Sequence, residues 1–403
     1  MIDFIHTDDR KRQSVTIKVV GVGGAGGNTI NRIIASGYHD VECIVINADA
    51  QALEQSLAPQ KIQIGVKSTK GLGTGANPEL GKRAAEEDID KIVEAIGTAD
   101  IVFLALGTGG GTGSGAAPVI AHALRSQNIL SIAIVTKPFE FEGKRRAQIA
   151  HNALEQLKKE VDALIIIPNQ KLLELVEYNT PMEEALDMIN AILIQSVKSI
   201  SDIITKPGHI NVDFADVRAI MKDMGLAVLG TATASGQDRA RKAALQAISS
   251  PLLENMSIDG ARGVLLNITG GITLGLHEIS DAASIIYERA DENANIILGS
   301  VVDKTMNDEI VVTVIATGFN QQEASLQHDT SSFATAAVRD ISMHSTAKIA
   351  HESCNVDTVT RKDVCKKQDE EVISRLTERI SDGVEDLDVP TFLRKEAARQ
   401  PEE

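Results

Sequence analysis

From residue 15 onward, short Ile/Val-rich runs alternate with segments of helical period. Six such runs read as buried strands: Val15–Val20, Glu42–Ile46, Lys61–Val66, Ile101–Leu106, Ile129–Val135 and Ala163–Ile167. Strands separated by helical crossovers predict an α/β domain over residues 14–179, built on a doubly wound parallel sheet. In the common strand order 3-2-1-4-5-6, strands one and four are neighbours where the order reverses, and ligands bind beyond the strand carboxyl ends there.

A longer helical pattern follows. Thr180-Pro181-Met182-Glu183 has the form of a capping box with proline at the first helical position. Apolar residues then recur at helical spacing through Ile204, and the pattern stops at Lys206-Pro207-Gly208. About 25 residues at 1.5 Å each predict a central helix of roughly 37 Å over residues 180–206, joining two domains. Residues 207–319 then predict a smaller α+β domain around a four-stranded sheet. Its strands are Leu226–Gly230, Gly263–Ile268, Ile296–Val302 and Ile310–Thr317, with helices over Gln237–Ile248 and Ile279–Asp291. Residues 1–13 are expected to be flexible, and the polar stretch 320–386 to be a disordered linker. Residues 387–403 end the chain with a short apolar cluster followed by basic residues, the form of a tethered segment that docks on a partner.

The glycines fall where this topology places a ligand. GVGGAGGN (Gly21–Asn28) follows strand one, and strand four runs into a loop with glycines at 107, 109, 110, 111, 113 and 115. Thr108, Thr112 and Ser114 stand between those glycines, and an Ala-rich helical pattern leads out. Such bare backbone lets consecutive N–H groups converge on an anion at a helix N-terminus. No Lys or Arg lies in the second loop, so amides, helix dipole and a metal ion would share the charge. The chain has no Walker sequence, and a flexible linker would not sit between a buried strand and an amphipathic helix.

The first loop alone also fits a dinucleotide fingerprint, with Asp49 as the ribose acid. Two facing cradles suit a triphosphate better. A third loop, Gly71–Pro78, would cover the terminal phosphate through Gly75 and Ala76, or be a long turn, with Asn77-Pro78 starting the next helix. The charged stretch Lys137–Arg146 lies at another strand end and would reach ribose or phosphate, or be a solvated turn. Asn211–Val217 opens a further helix on which Asp213 and Asp216 share a face. These acids would cap that helix or orient a water.

Composition narrows the class. The chain has 403 residues, 43% of them hydrophobic but only 3% aromatic and none Trp, so its cores are aliphatic. A net charge of −16 argues against a general nucleic-acid binder. No apolar run approaches the ~18 residues of a membrane span, and the N-terminus has no signal core. Cys43, Cys354 and Cys365 fit neither a disulfide framework nor a zinc site. The expectation is a soluble, reduced, cytoplasmic protein.

GGGTGSG (Gly109–Gly115) resembles the signature of the tubulin/FtsZ superfamily of polymerising GTPases. GVGGAGGN, GLGTGANPE, FEGKRR, NVDFADV and the terminal DVPTFLRK are similar to its bacterial FtsZ branch, in order from about residue 14 to 319 and again at the end. The resemblance implies a GTPase that assembles head to tail into the cytokinetic filaments of the bacterial division site, at the inner face of the membrane. It implies GTP/GDP with Mg2+, and no metal ligands from the protein itself.

Gly24, Ala25, Gly26, Gly27 and Asn28, with Gly110, Gly111, Thr112 and Gly113, would hold the phosphates. Glu142 and Arg146 would contact ribose and phosphate, and Asn190 would read guanine. Asn211, Asp213 and Asp216 would enter the pocket of the next subunit and polarise the attacking water. Asp388, Val389, Pro390, Phe392 and Leu393 would bind membrane-tethering proteins of the FtsA or ZipA type, with no direct membrane insertion and no nucleic acid bound. Two positions depart from the family pattern: Leu186 stands where an aromatic often meets guanine, and Ala191 where an acid is common. The other readings are a tubulin-like plasmid-segregation filament and a Rossmann-type NAD-dependent oxidoreductase.

Overall fold

In the computed structural model, which describes residues 15–173, 176–206, 208–250 and 260–319, the six expected strands are all present. They are β1 (Ile17–Val22), β2 (Glu42–Asn47), β3 (Gln60–Gln63), β4 (Ile101–Gly107), β5 (Leu130–Lys137) and β6 (Ala163–Pro168). All pair in parallel, in the expected order β3-β2-β1-β4-β5-β6. The expected flexible start 1–13, the linker 320–386 and the terminal segment 387–403 lie outside the described residues.

Strand side chains alternate between two faces, and each face has its own aliphatic core. Val19, Phe103, Ile132 and Ile165 pack on one side with the central helix. Val20, Leu104, Val135 and Leu164 pack on the other with Ala117, Ile120 and Leu124 of the helix that follows β4. Val22 is in register with Leu106, so the first and second glycine loops leave the sheet at the same level.

Two boundaries differ from expectation for local reasons. β3 ends at Gln63, because Gly65 turns left-handed (φ 64°) into a short helix, Val66–Thr69. The central helix runs Met182–Thr205, its N-cap is Pro181 with ψ 144°, and no side chain caps it. The predicted capping box is therefore absent. A residue before proline is held extended, which leaves the Thr180 hydroxyl one position too far upstream. Glu183 and Glu184 in the first turn complement the helix dipole instead.

Beyond the central helix lie β7 (Gly208–Ile210), β8 (Gly225–Ser235), β9 (Gly263–Gly270), β10 (Asn295–Val302) and β11 (Glu309–Thr317). Four of these form the expected small sheet in the order β8-β11-β9-β10, with helices Arg239–Ile248 and Leu276–Tyr287 packed on it. β7 adds a short antiparallel edge that has too few residues to show a period. β8 also pairs in parallel with β6 over Ala163–Ile165, so the two halves share one 11-stranded sheet. Among the described residues no helix is long and apolar enough to cross a membrane.

Candidate functional site

The turn out of β1 is made by glycines that press on one another. A Cβ on Gly21 would lie 2.4 Å from the carbonyl oxygen of Gly26, and one on Gly26 would lie 2.3 Å from that of Ala105. A helix, Gly23–Ala35, starts at once, and no side chain caps it. The second loop does the same, with Gly111 as the uncapped start of the helix Thr112–Ser126. First-turn N–H groups have no intrahelical acceptor, so both helix starts offer donors that the protein's side chains do not claim.

The two starts are adjacent. Gly23 is left-handed (φ 74°) and lies close against Gly113, whose nitrogen would be 3.0 Å from an added Cβ. Gly24 and Gly110 face open space, so an anion can approach there without meeting a side chain. Ser114 is already used, because its hydroxyl accepts from the Gly109 N–H at 3.0 Å. Thr108 donates to the Thr136 carbonyl at 2.8 Å, which ties the loop to β5.

The third loop packs on the second. A Cβ on Gly111 would lie 2.2 Å from Thr74 Oγ1, and the Thr74 and Thr112 hydroxyls are 3.2 Å apart. Asn77 caps the helix Pro78–Glu87 by accepting from the Glu79 N–H, as expected. Gly75 and Ala76 are both left-handed (φ 55° and 59°), and Gly75 faces open space. A non-glycine residue in that region is uncommon and carries strain, which the contact between the two loops sustains.

Past β5, a short turn (Glu140–Glu142) leads into the helix Lys144–Glu160. Glu142 and Arg146 form an ion pair, and Glu142 also accepts from the Phe139 N–H at 2.9 Å. The backbone of Arg146 borders the second loop, with its carbonyl 3.1 Å from an added Cβ on Gly109. Sequence reasoning missed Asn169, which follows β6 directly. Its buried Oδ1 has no hydrogen-bond partner. The available signal was a polar residue right after the last strand of the first sheet, on the edge where ligands bind.

A cleft of about 530 Å³ opens between the helix Gly23–Ala35 and the central helix. Asn28, Asn31 and Arg32 line one wall, and Leu186, Asp187 and Asn190 are on the other. Asn190 Oδ1 lies 3.5 Å from the Thr29 hydroxyl, and Arg32 and Asp187 are ion-paired across the opening.

Asn211, Asp213 and Asp216 are not in this assembly. Asn211 Oδ1 accepts from the Gly208 N–H at 2.7 Å. Asp213 is the N-cap of the helix Phe214–Met221, accepting from the Asp216 N–H at 2.9 Å. All three residues are exposed. Further along that helix, Arg218 donates to the side chain and carbonyl of Asn128, two residues before β5. The acids therefore belong to the amino edge of the first sheet, whereas the glycine loops occupy its carboxyl edge. An eight-residue β5 separates those edges by about 26 Å. The 24-residue central helix, which runs from the cleft to the acids, is about 36 Å long.

The Tubulin/FtsZ family, GTPase domain, matches residues 16–177, and the FtsZ family, C-terminal domain, matches residues 225–320. An empty FtsZ dimer from M. jannaschii is 42% identical with a TM-score of 0.73, covering 76% of this chain and 89% of that one. A mutant of M. jannaschii FtsZ is 43% identical at the same TM-score, covering 76% and 92%. GDP-bound CetZ1 from Haloferax volcanii shares the fold at 22% identity and TM-score 0.67, covering 76% and 95%.

Proposed function

The chain belongs to the tubulin/FtsZ family and is a GTPase of its FtsZ branch, and from that premise we propose that it polymerises head to tail and hydrolyses GTP between subunits. The observation that carries this is the separation of the two halves of the site. The anion cradle and the candidate acids Asp213 and Asp216 stand on opposite edges of one sheet, both exposed to a neighbour. Stacking the amino edge of one molecule on the carboxyl edge of another would complete the site. The FtsZ relative described as a dimer is in keeping with such self-association.

In this reading the helix starts at Gly23 and Thr112 bind the phosphates through backbone amides, with Gly24 and Gly110 leaving the approach open. Gly75 and Ala76 close over the terminal phosphate. Glu142 and Arg146, already paired beside the second loop, contact ribose and phosphate. Asn190 lines the cleft that would take the base. Hydrolysis needs charge neutralisation, in-line placement and a group that orients water. Asp216 of the next subunit supplies the last, with Asn211 and Asp213 shaping the loop that carries it.

The donor set near the phosphates is hydroxyl-rich, with Thr74 and Thr112 side by side. Such hydroxyls would meet Mg2+ through its water ligands, while phosphate oxygens would hold the ion itself. When bound, it would neutralise charge on the phosphates.

The cell-division ring is the biological setting we infer. The FtsZ C-terminal domain match and the terminal sequence Asp388-Val389-Pro390-Thr391-Phe392-Leu393 support it. That segment would dock on membrane-tethering partners of the FtsA or ZipA type and bring the filaments to mid-cell. The experiment is GTP turnover per subunit against protein concentration, run beside light scattering with GTP, GDP and no nucleotide. Turnover should rise above a threshold concentration, and scattering should rise with GTP alone. Turnover per subunit that is independent of dilution would refute hydrolysis between subunits.

A further inference from the structure

The cleft beside the first glycine loop holds an acceptor that the reading above does not use. Guanine presents two adjacent donors on one edge, N1–H and the 2-amino group. A carboxylate can accept both at once, with charge-assisted hydrogen bonds, which a single amide oxygen cannot match. Asn190 brings only one acceptor oxygen to the cleft, and the Thr29 hydroxyl 3.5 Å from it has a nearer acceptor in the Ala25 carbonyl at 3.1 Å.

Two carboxylates line the cleft, Glu183 and Asp187. Glu183 sits in the first turn of the central helix, where its charge complements the helix dipole. Asp187 lies three residues before Asn190 and so projects from the same face. Arg32 on the opposite wall takes its Oδ1, and among the described residues Oδ2 has no hydrogen-bond partner. Position 191 offers only the methyl group of an alanine.

We propose that Asp187 is the residue that selects guanine, its Oδ2 accepting from one of the two donors and its Oδ1, through the lone pair that Arg32 leaves open, from the other. This rests on the guanine-nucleotide reading of the cleft and adds the source of its base preference. Adenine has an acceptor at N1 and no 2-amino group, so it would face the carboxylate lone pair to lone pair. A site built on such pairing rejects the wrong base, because the bound base would cover the acceptor and leave it unpaired.

The test is calorimetric titration of the full chain with GDP, with inosine diphosphate (no 2-amino group) and with xanthosine diphosphate (a 2-oxo group). The wild-type protein should prefer GDP to inosine diphosphate by about tenfold, the value of one hydrogen bond to a charged group. Asp187→Ala should bind the two alike. Asp187→Asn should lose about ten- to a hundredfold for GDP and gain xanthosine diphosphate, whose 2-oxo group the new amide can meet. Asp187→Glu keeps the carboxylate and should keep the preference. If Asp187→Ala and Asp187→Asn retain both wild-type GDP affinity and the GDP preference, the assignment is overturned and the guanine cleft stands. A wild-type protein that takes up no GDP overturns both.

Discussion

A methyl group on Gly23 would sit 3.0 Å from the backbone nitrogen of Gly113, so the first and second glycine loops meet with no side chain between them. β1 and β4 are paired up to Val22 and Leu106, which brings both helix starts to one level. Two partial positive charges thus lie together at one edge of the sheet, an arrangement that a bound polyanion stabilises.

Glycines in these loops have separable duties, and substitution should separate them. An added Cβ on Gly26 meets the Ala105 carbonyl at 2.3 Å, a contact with β4 itself that no rotamer relieves. Gly26→Ala should cost about 1–3 kcal/mol, read as a lower thermal midpoint without ligand. Gly24→Ala meets nothing within 4 Å and lies in a helix, so the midpoint should hold or rise. Its methyl would instead stand in the path of the anion and weaken GDP binding by about tenfold or more. A Gly24→Ala protein with unchanged GDP affinity would show that the phosphates lie elsewhere.

The second domain carries a pH-dependent staple. Arg239 is only 7% exposed and is held by both oxygens of Glu278, at 2.7 and 3.0 Å, and by Thr273. The Arg239 hydrogen bond holds the Glu278 carboxyl below its ordinary value of 4.5. A carboxylate depressed in the folded state adds stability above pH 4.5, and that stability is lost as pH falls through the lower folded-state value. Glu278→Gln leaves the buried guanidinium only the exposed Asp308 carboxylate, 3.9 Å away, as counter-charge and should cost about 1–3 kcal/mol at pH 7. The gap between the two proteins' melting temperatures should shrink in acid. A gap of constant size from pH 7 to pH 3 would count against the ion pair.

How legible the protein was in its sequence depended on the range of the interaction involved. β1 through β6 were readable because each is a short aliphatic run bounded by turn residues, and the strand order followed from parallel crossovers. The glycine loops were readable because their close packing leaves no room for a side chain, as Gly26 and Gly111 show. Thr180 misled because a capping box is a matter of one residue, and the proline next to it fixed the phase of the helix start. The pairing of β6 with β8 was hidden, since it joins two patterns that each look complete. Asn169 and Asp187 were passed over for a similar reason. Each is an ordinary polar residue until the fold buries one oxygen and pairs the other residue with Arg32.

Asp213 and Asp216 lie on one helical turn but do different work. Asp213 accepts the Asp216 N–H, so Asp213→Ala removes an N-cap and should cost about 1 kcal/mol of stability as well as turnover. The Asp216 carboxylate caps nothing and is exposed. Asp216→Ala should therefore fold and bind GTP normally while hydrolysis nearly stops. Within one chain the acids and the glycine loops are an estimated 26 Å or more apart, which a side chain cannot span. A complementation assay follows from that distance. Gly24→Asp places a negative charge where the anion enters, so this variant should not hold GTP but keeps its own Asp216. Mixed with Asp216→Ala, it can lend that acid to a neighbour that carries the nucleotide. GTP turnover in the mixture should exceed that of either variant alone at the same total concentration. Turnover equal to the average of the two would mean that each chain cuts only its own nucleotide, and the inter-subunit mechanism would fail.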